Sequence, residues 1–178
     1  VFLLVYIRFM GYAGDRVTAW RHPELDPGDT GYQILQSLYA IGSGGFFGLG
    51  PGKSRQKYLY LPFQYNDYIF AIVCEELGLV GALGIMALFA LLIFRGYRIA
   101  RQAENRFSTA LAAGLISLIA VQTILNLCVV TNLLPSTGIA LPFFSYGGTA
   151  LAVNLGEMGI VLNISRSGKK RTIQEAAN

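Results

Sequence analysis

The chain has 178 residues, 53% of them hydrophobic and only 13% charged, with a formal net charge of +4 and a mean hydropathy of +0.48. Soluble domains carry about a quarter charged residues, and here residues 107–156 contain no Asp, Glu, Lys or Arg at all, which excludes a water-facing globular surface over that stretch. One histidine, His22, and two cysteines inside apolar runs, Cys74 and Cys128, leave almost no material for zinc, Ser-His or Cys-His chemistry.

The first ten residues contain the run VFLLVYI, too short to span a bilayer, and are expected to be the end of a membrane helix whose beginning lies outside the sequence. Residues 11–67 form a polar segment rich in turn residues (DPGDTG, GSGG, GLGPGKS), expected as an extracytoplasmic loop with short helices. Within it, residues 32–41 (YQILQSLYAI) have the pattern of a short amphipathic helix on the membrane surface.

Three stretches approach the about 20 apolar residues that a membrane helix needs. They are residues 68–94, 108–130 and 143–164, with a connection at 95–107, a turn at 131–142 and a tail at 165–178. Arg95, Arg98, Arg101 and Arg106 crowd the connection, and Arg166, Lys169, Lys170 and Arg171 crowd the tail. Positive charge marks the cytoplasmic side, and two spans separate these clusters, so both are expected there and the large loop outside. The basic residues flank apolar runs and are read as membrane anchors, with no nucleic-acid partner.

Several groups are candidates for chemistry. GLGPGKS resembles a phosphate-binding G-x-x-x-x-G-K-S loop, but Phe47 stands where its first glycine belongs and no strand precedes it. In KSRQKYLYLPFQYNDYIF, the cations Lys53, Arg55 and Lys57 precede an aromatic stretch that includes Tyr65. Rings and cations at an interface suit a lipid diphosphate head group, and equally an ordinary aromatic belt. Asp67 follows at the mouth of an apolar helix, where it reads either as a helix cap or as a general base between water and lipid.

Glu75 and Glu76 lie inside the same span, about 12 to 14 Å further along a straight helix. That exceeds the about 5–10 Å of a carboxyl pair in glycoside chemistry, so both are expected to be structural. Glu157, with Asn154 a turn away, is read likewise. Ser145, in SYGG at the start of the last span, belongs to a glycine-rich opening able to line a cavity.

The runs GYQILQSLYAIGSGGFFGLGPGKSRQKYLYLP, NDYIFAIVCEELGLVG and LPSTGIALPFFSYGGTALAVNLGEMGIVLNISR together resemble the SEDS family (shape, elongation, division and sporulation), closer to its division and sporulation branch. The resemblance implies an all-α polytopic membrane protein, this chain being the C-terminal part of a ten-span bundle with three full spans and a large extracytoplasmic loop. It implies a peptidoglycan glycosyltransferase that polymerises lipid II, a disaccharide-pentapeptide on undecaprenyl diphosphate, in the bacterial plasma membrane, with its site facing outward. A class B penicillin-binding transpeptidase and other division proteins are the implied partners.

Asp67 falls on the family's catalytic aspartate, with Phe63, Asn66 and Tyr68 departing from the usual Glu, Thr and Phe of that motif. Lys53, Arg55, Lys57, Tyr65 and Ser145 are the accompanying substrate-binding candidates. No firm cofactor is implied, and a divalent cation, Mg or Mn, is an alternative to the basic side chains as partner to the diphosphate. The rival functions are a lipid II flippase and a non-catalytic membrane partner of a transpeptidase.

Overall fold

The structure is a computed structural model that describes residues 11–25, 30–54 and 67–177. Among them every regular element is helical: α1 (Gly11–Arg21), a 3-10 turn (Pro23–Leu25), α2 (Thr30–Gly44), α3 (Ile69–Arg101), α4 (Arg106–Val130) and α5 (Gly148–Ala177). Two of these helices, α3 and α4, are long and apolar enough to cross a membrane. Only 17% of the most apolar window of α3 is buried. Leu79, Val80, Leu83, Leu88, Leu91 and Phe94 all face outward, a surface that water does not tolerate and hydrocarbon does.

Element boundaries differ from expectation in ways the backbone explains. The span expected to end at residue 94 continues helically to Arg101, because arginines in a last turn favour the negative end of the helix dipole. The connection then shrinks to residues 102–105, and Asn105 caps α4 by accepting the Ser108 N–H at 2.8 Å. The span expected from residue 143 starts only at Gly148, since Phe143 has a positive φ of 65° that no helix accommodates. Its helix then runs through the expected tail to Ala177. By length and composition α5 does not qualify as a third span; Asn154, Glu157 and Asn163 interrupt its apolar part. The surface helix expected over 32–41 extends over Thr30–Gly44.

The chain divides into two compact units, residues 1–83 with 125–141, and residues 84–124 with 142–178. The first is organised around a break in α3. Gly78 sits at φ 68° and ψ −166°, a region open essentially to glycine alone. There the helical ladder fails, and the glycine-rich loop after α2 replaces it bond for bond. In an unbroken helix the Leu79 and Val80 N–H groups would donate to Glu75 and Glu76. Instead Leu79 donates to the Gly45 carbonyl (2.9 Å) and Val80 to Phe46 (3.2 Å). The freed carbonyls of Glu75 and Glu76 accept from Leu49 (2.9 Å) and Gly50 (3.0 Å). The loop that resembled a phosphate cradle therefore spends its Leu49 and Gly50 N–H groups on α3, and those of Gly48 and Lys53 on Gly44 and Gly50.

This exchange needs backbones in contact, and three glycines permit it. A Cβ at Gly44 would strike the Cys74 carbonyl, one at Gly48 the Glu76 carbonyl, and one at Gly78 the Gly48 nitrogen. Beside the exchange, the buried Ser54 hydroxyl donates to the buried Glu75 carboxyl, which fixes the loop's far end.

In the second unit, Gly96 admits Ile116 against α3, and the Tyr97 and Ser117 hydroxyls share a hydrogen bond of 2.7 Å. Ala100, Ala112 and Ile164 form a buried cluster joining α3, α4 and α5. The Phe89 and Phe144 rings meet at 5.9 Å beside an apolar cavity of about 160 Å³.

Gly48→Ala and Gly78→Ala are expected to lower the thermal midpoint of the purified full-length protein. Each adds about 1–3 kcal/mol of backbone strain before any loss of contact. Gly84, mid-helix with open space around it, is the control: Gly84→Ala should hold or raise the midpoint, the helix gaining at most about 1 kcal/mol.

Candidate functional site

The turn at residues 131–141 is the frame of the site, and its shape begins at the end of α4. Asn132 takes the left-handed conformation (φ 58°) and Leu133 donates back to the Cys128 carbonyl at 2.7 Å, closing the helix. Both preceding helices attach to this frame. Trp20 Nε1 donates to the Asn132 carbonyl and Arg16 Nη1 to the Ser136 carbonyl, each at 3.0 Å. The buried Ser37 hydroxyl of α2 reaches the Val130 carbonyl at 3.3 Å.

Asp67 stands two residues before α3 and is held through its backbone. The fully buried Asn126 spends its amide donors on two carbonyls, Asp67 and Ile139, both at 2.8 Å. One side chain of α4 thus ties the mouth of α3 to the turn. Gly138 (φ 70°) faces the carboxylate, and a Cβ built there would lie 3.6 Å from Asp67 Oδ2.

The carboxylate itself accepts no hydrogen bond from any described residue, so Asp67 is not a helix cap. Burial pushes its pKa above the ordinary carboxylate value, and the Arg16 guanidinium pulls in the opposite direction. A half-buried carboxylate beside one guanidinium, free of hydrogen bonds that would stabilise its charge, is chemically equipped to accept a proton.

The other sequence candidates distribute unevenly. Lys53 is exposed in the turn before Ser54. Ser54 is anchored to Glu75, about 12 Å along the helix axis from Asp67. Arg55, Lys57 and Tyr65, and the departures Phe63 and Asn66, lie outside the described residues, whereas Tyr68 is buried. Ser145 belongs to the second unit. Glu75 is a structural anchor, as expected. Glu76 and Glu157 differ, because Glu76 Oε1 and Glu157 Oε2 are buried with no hydrogen-bond partner among the described residues.

Sequence reasoning missed Arg16, Asn126 and the Ser136–Gly138 turn as parts of the site. Asn126 did carry a signal, being an amide within a charge-free apolar run. Arg16 carried none, since its contact with Ser136 joins residues 120 apart. Among the described residues no three His, Cys, Asp or Glu side chains converge to hold a metal ion.

Comparison with known proteins gives this arrangement its class. Residues 1–170 match the model of the family described as "Cell cycle protein", that of FtsW, RodA and SpoVE. Stage V sporulation protein E of Bacillus subtilis (strain 168) is 50% identical over 155 residues, covering 87% of this chain and 42% of that protein. A protein of Trichlorobacter lovleyi named probable peptidoglycan glycosyltransferase FtsW is 44% identical over 164 residues, covering 92% of this chain and 43% of the relative. A solved chain from work on the structural coordination of polymerization and crosslinking by a peptidoglycan synthase complex superposes with a TM-score of 0.74. Its sequence identity is 28%, and the match covers 92% of this chain and 44% of that one.

The fold and site thus define a helical membrane protein with its polar chemistry gathered at the mouth of one helix. The chain belongs to the FtsW/RodA/SpoVE family of SEDS proteins, and it spans less than half the length of the relatives it matches.

Asn126→Ala leaves the partly buried carbonyls of Asp67 and Ile139 without their donor. It should cost about 1–3 kcal/mol per orphaned carbonyl, read as a lower thermal midpoint with faster proteolysis in the 131–141 turn. An unchanged midpoint and cleavage pattern would remove Asn126 from the frame.

Proposed function

We propose that this chain carries the acceptor-activating base of a peptidoglycan glycosyltransferase that polymerises lipid II. The observation that carries the reading is the Asp67 carboxylate, held through its backbone by Asn126, unbonded among the described residues and adjacent to Arg16. Relatives named probable peptidoglycan glycosyltransferase support it, as does the likeness to a chain of a peptidoglycan synthase complex. The enzyme acts in the bacterial plasma membrane with Asp67 on the outer side, during division or sporulation. A class B penicillin-binding transpeptidase cross-links its product.

In the reaction, Asp67 accepts the proton of the acceptor sugar's 4-hydroxyl as that oxygen bonds to the donor's anomeric carbon. The bond from that carbon to the undecaprenyl diphosphate oxygen breaks, and the diphosphate departs with the electron pair. Arg16 compensates the developing negative charge. Arg55, Lys57 and Tyr65, in the segment just before Asp67, and Lys53 and Ser145 are proposed as further substrate contacts. A divalent cation, Mg or Mn, is the alternative to these side chains as partner to the diphosphate. An assay with and without a chelator decides whether Mg or Mn brought in by the diphosphate adds to them.

Asp67→Asn in the full-length protein keeps the shape and loses the base. Polymerisation of purified lipid II should fall by about 10²–10⁴-fold, the usual range for general-base catalysis, with the thermal midpoint retained. Glycan chains made at the wild-type rate would overturn the reading. Movement of lipid II between leaflets without polymer would favour the flippase.

The pH dependence has a definite sign. Asp67 must be deprotonated to act, so a pKa raised by burial places the acid limb of activity above the ordinary carboxylate range. Arg16 lowers that pKa, so Arg16→Gln should move the limb to higher pH as well as reduce the maximum rate. A pH–rate profile of the variant that keeps the wild-type limb would dissociate Arg16 from Asp67.

A further inference from the structure

A second polar feature lies in the other unit. Arg95, Arg98 and Gln102 of α3, Ile99 between them, and Ser165 of α5 line a cavity of about 340 Å³. Spacings of three and four residues put Arg95, Arg98 and Gln102 on one stripe of α3. The cavity has a fixed floor. Ile164, immediately before Ser165, is buried against Ala100 and Ala112, with Ile99 packed on the same cluster.

Its surroundings are basic. Arg101 ends α3, Arg106 begins α4 and Arg166 follows Ser165 on α5, while the 102–105 connection contributes one acid, Glu104. None of the residues that line the cavity is acidic. Two guanidinium groups, a side-chain amide and a hydroxyl form a donor set matched to a phosphate oxygen cluster.

What lies along the stripe identifies the source of the phosphate. Continuing from Arg95 toward the middle of α3, the same face carries Leu91 and Leu88, which are 53% and 65% exposed. A polar end of arginines and an outward apolar run behind it reproduce the order of a phospholipid, head group first and acyl chain after. A free phosphate ion would have no use for the apolar half. We propose that the cavity binds the phosphodiester of an anionic membrane phospholipid whose acyl chain lies along Leu91 and Leu88. The site is separate from Asp67 and stands whether or not the chain polymerises lipid II.

The test uses the full-length protein in nanodiscs of phosphatidylcholine mixed with phosphatidylglycerol. It is extracted in mild detergent, and retained lipid is counted by native mass spectrometry. Each arginine near an anionic surface is worth about five-fold in binding. Arg95→Gln with Arg98→Gln should therefore reduce the preference for phosphatidylglycerol by roughly 25-fold. Arg95→Lys with Arg98→Lys, which keeps the charge, should retain much of that preference and controls for folding. Equal retention by the wild type and the double Gln variant would overturn the proposal. Displacement of the lipid by inorganic phosphate, but not by chloride at matched ionic strength, would reassign the cavity to a free anion and also overturn it.

Discussion

The break of α3 at Gly78 and the loop that fills it form a single interaction on which the first unit depends. In hydrocarbon, a backbone group without a partner costs several kcal/mol, so a membrane helix breaks only where something else completes its ladder. Gly45 and Phe46 supply acceptors for the donors of Leu79 and Val80, while Leu49 and Gly50 supply donors for the carbonyls of Glu75 and Glu76. Neither side is stable alone. An isolated loop of glycines would be too costly in entropy to order, and an isolated break would leave donors and acceptors bare. They stand or fall together, and the Ser54–Glu75 bond locks the arrangement at its far end.

That coupling reaches the candidate site through the short helical piece between Ile69 and Leu77. Because the piece is no longer constrained to continue the line of α3, its direction is set by the loop at one end and by Asn126 at the other. Asn126 also binds the Ile139 carbonyl, and Arg16 and Trp20 hold the same turn from α1. Asp67 is therefore located by its main chain, within a frame drawn from helices far apart in sequence.

Much of this was legible beforehand and part was not, for identifiable reasons. The two spans were readable because hydrocarbon tolerates a charge-free stretch and water does not. Asp67 was readable as a residue of interest, but composition and spacing left cap and base balanced, and it takes the structure to show that no described backbone N–H donates to its carboxylate. The break at Gly78 was invisible because Gly81 and Gly84 lie in the same apolar run and look the same in sequence. What singles out Gly78 is the approach of Gly48, a tertiary contact. The arginines at 95, 98 and 101 were read as loop because charge seemed to end the span, although arginine is a good helix former and suits a helix C-terminus.

The manner in which Asp67 is held bears on its chemistry. Hydrogen bonds to a carboxylate stabilise its charge and lower its basicity, so a base fixed by bonds to its own oxygens would be weakened by the act of fixing it. Gripping the Asp67 carbonyl instead leaves the side-chain oxygens without a hydrogen bond among the described residues, and burial raises their affinity for a proton. The Arg16 guanidinium opposes that rise. Gly138 borders the carboxylate, and a Cβ there would meet Oδ2 at an ordinary contact distance of 3.6 Å. Position and proton affinity thus depend on two different residues, Asn126 and Arg16. A change at Asn126 or at Arg16 should disturb one property before the other, a pattern that a mere packing cluster would not produce.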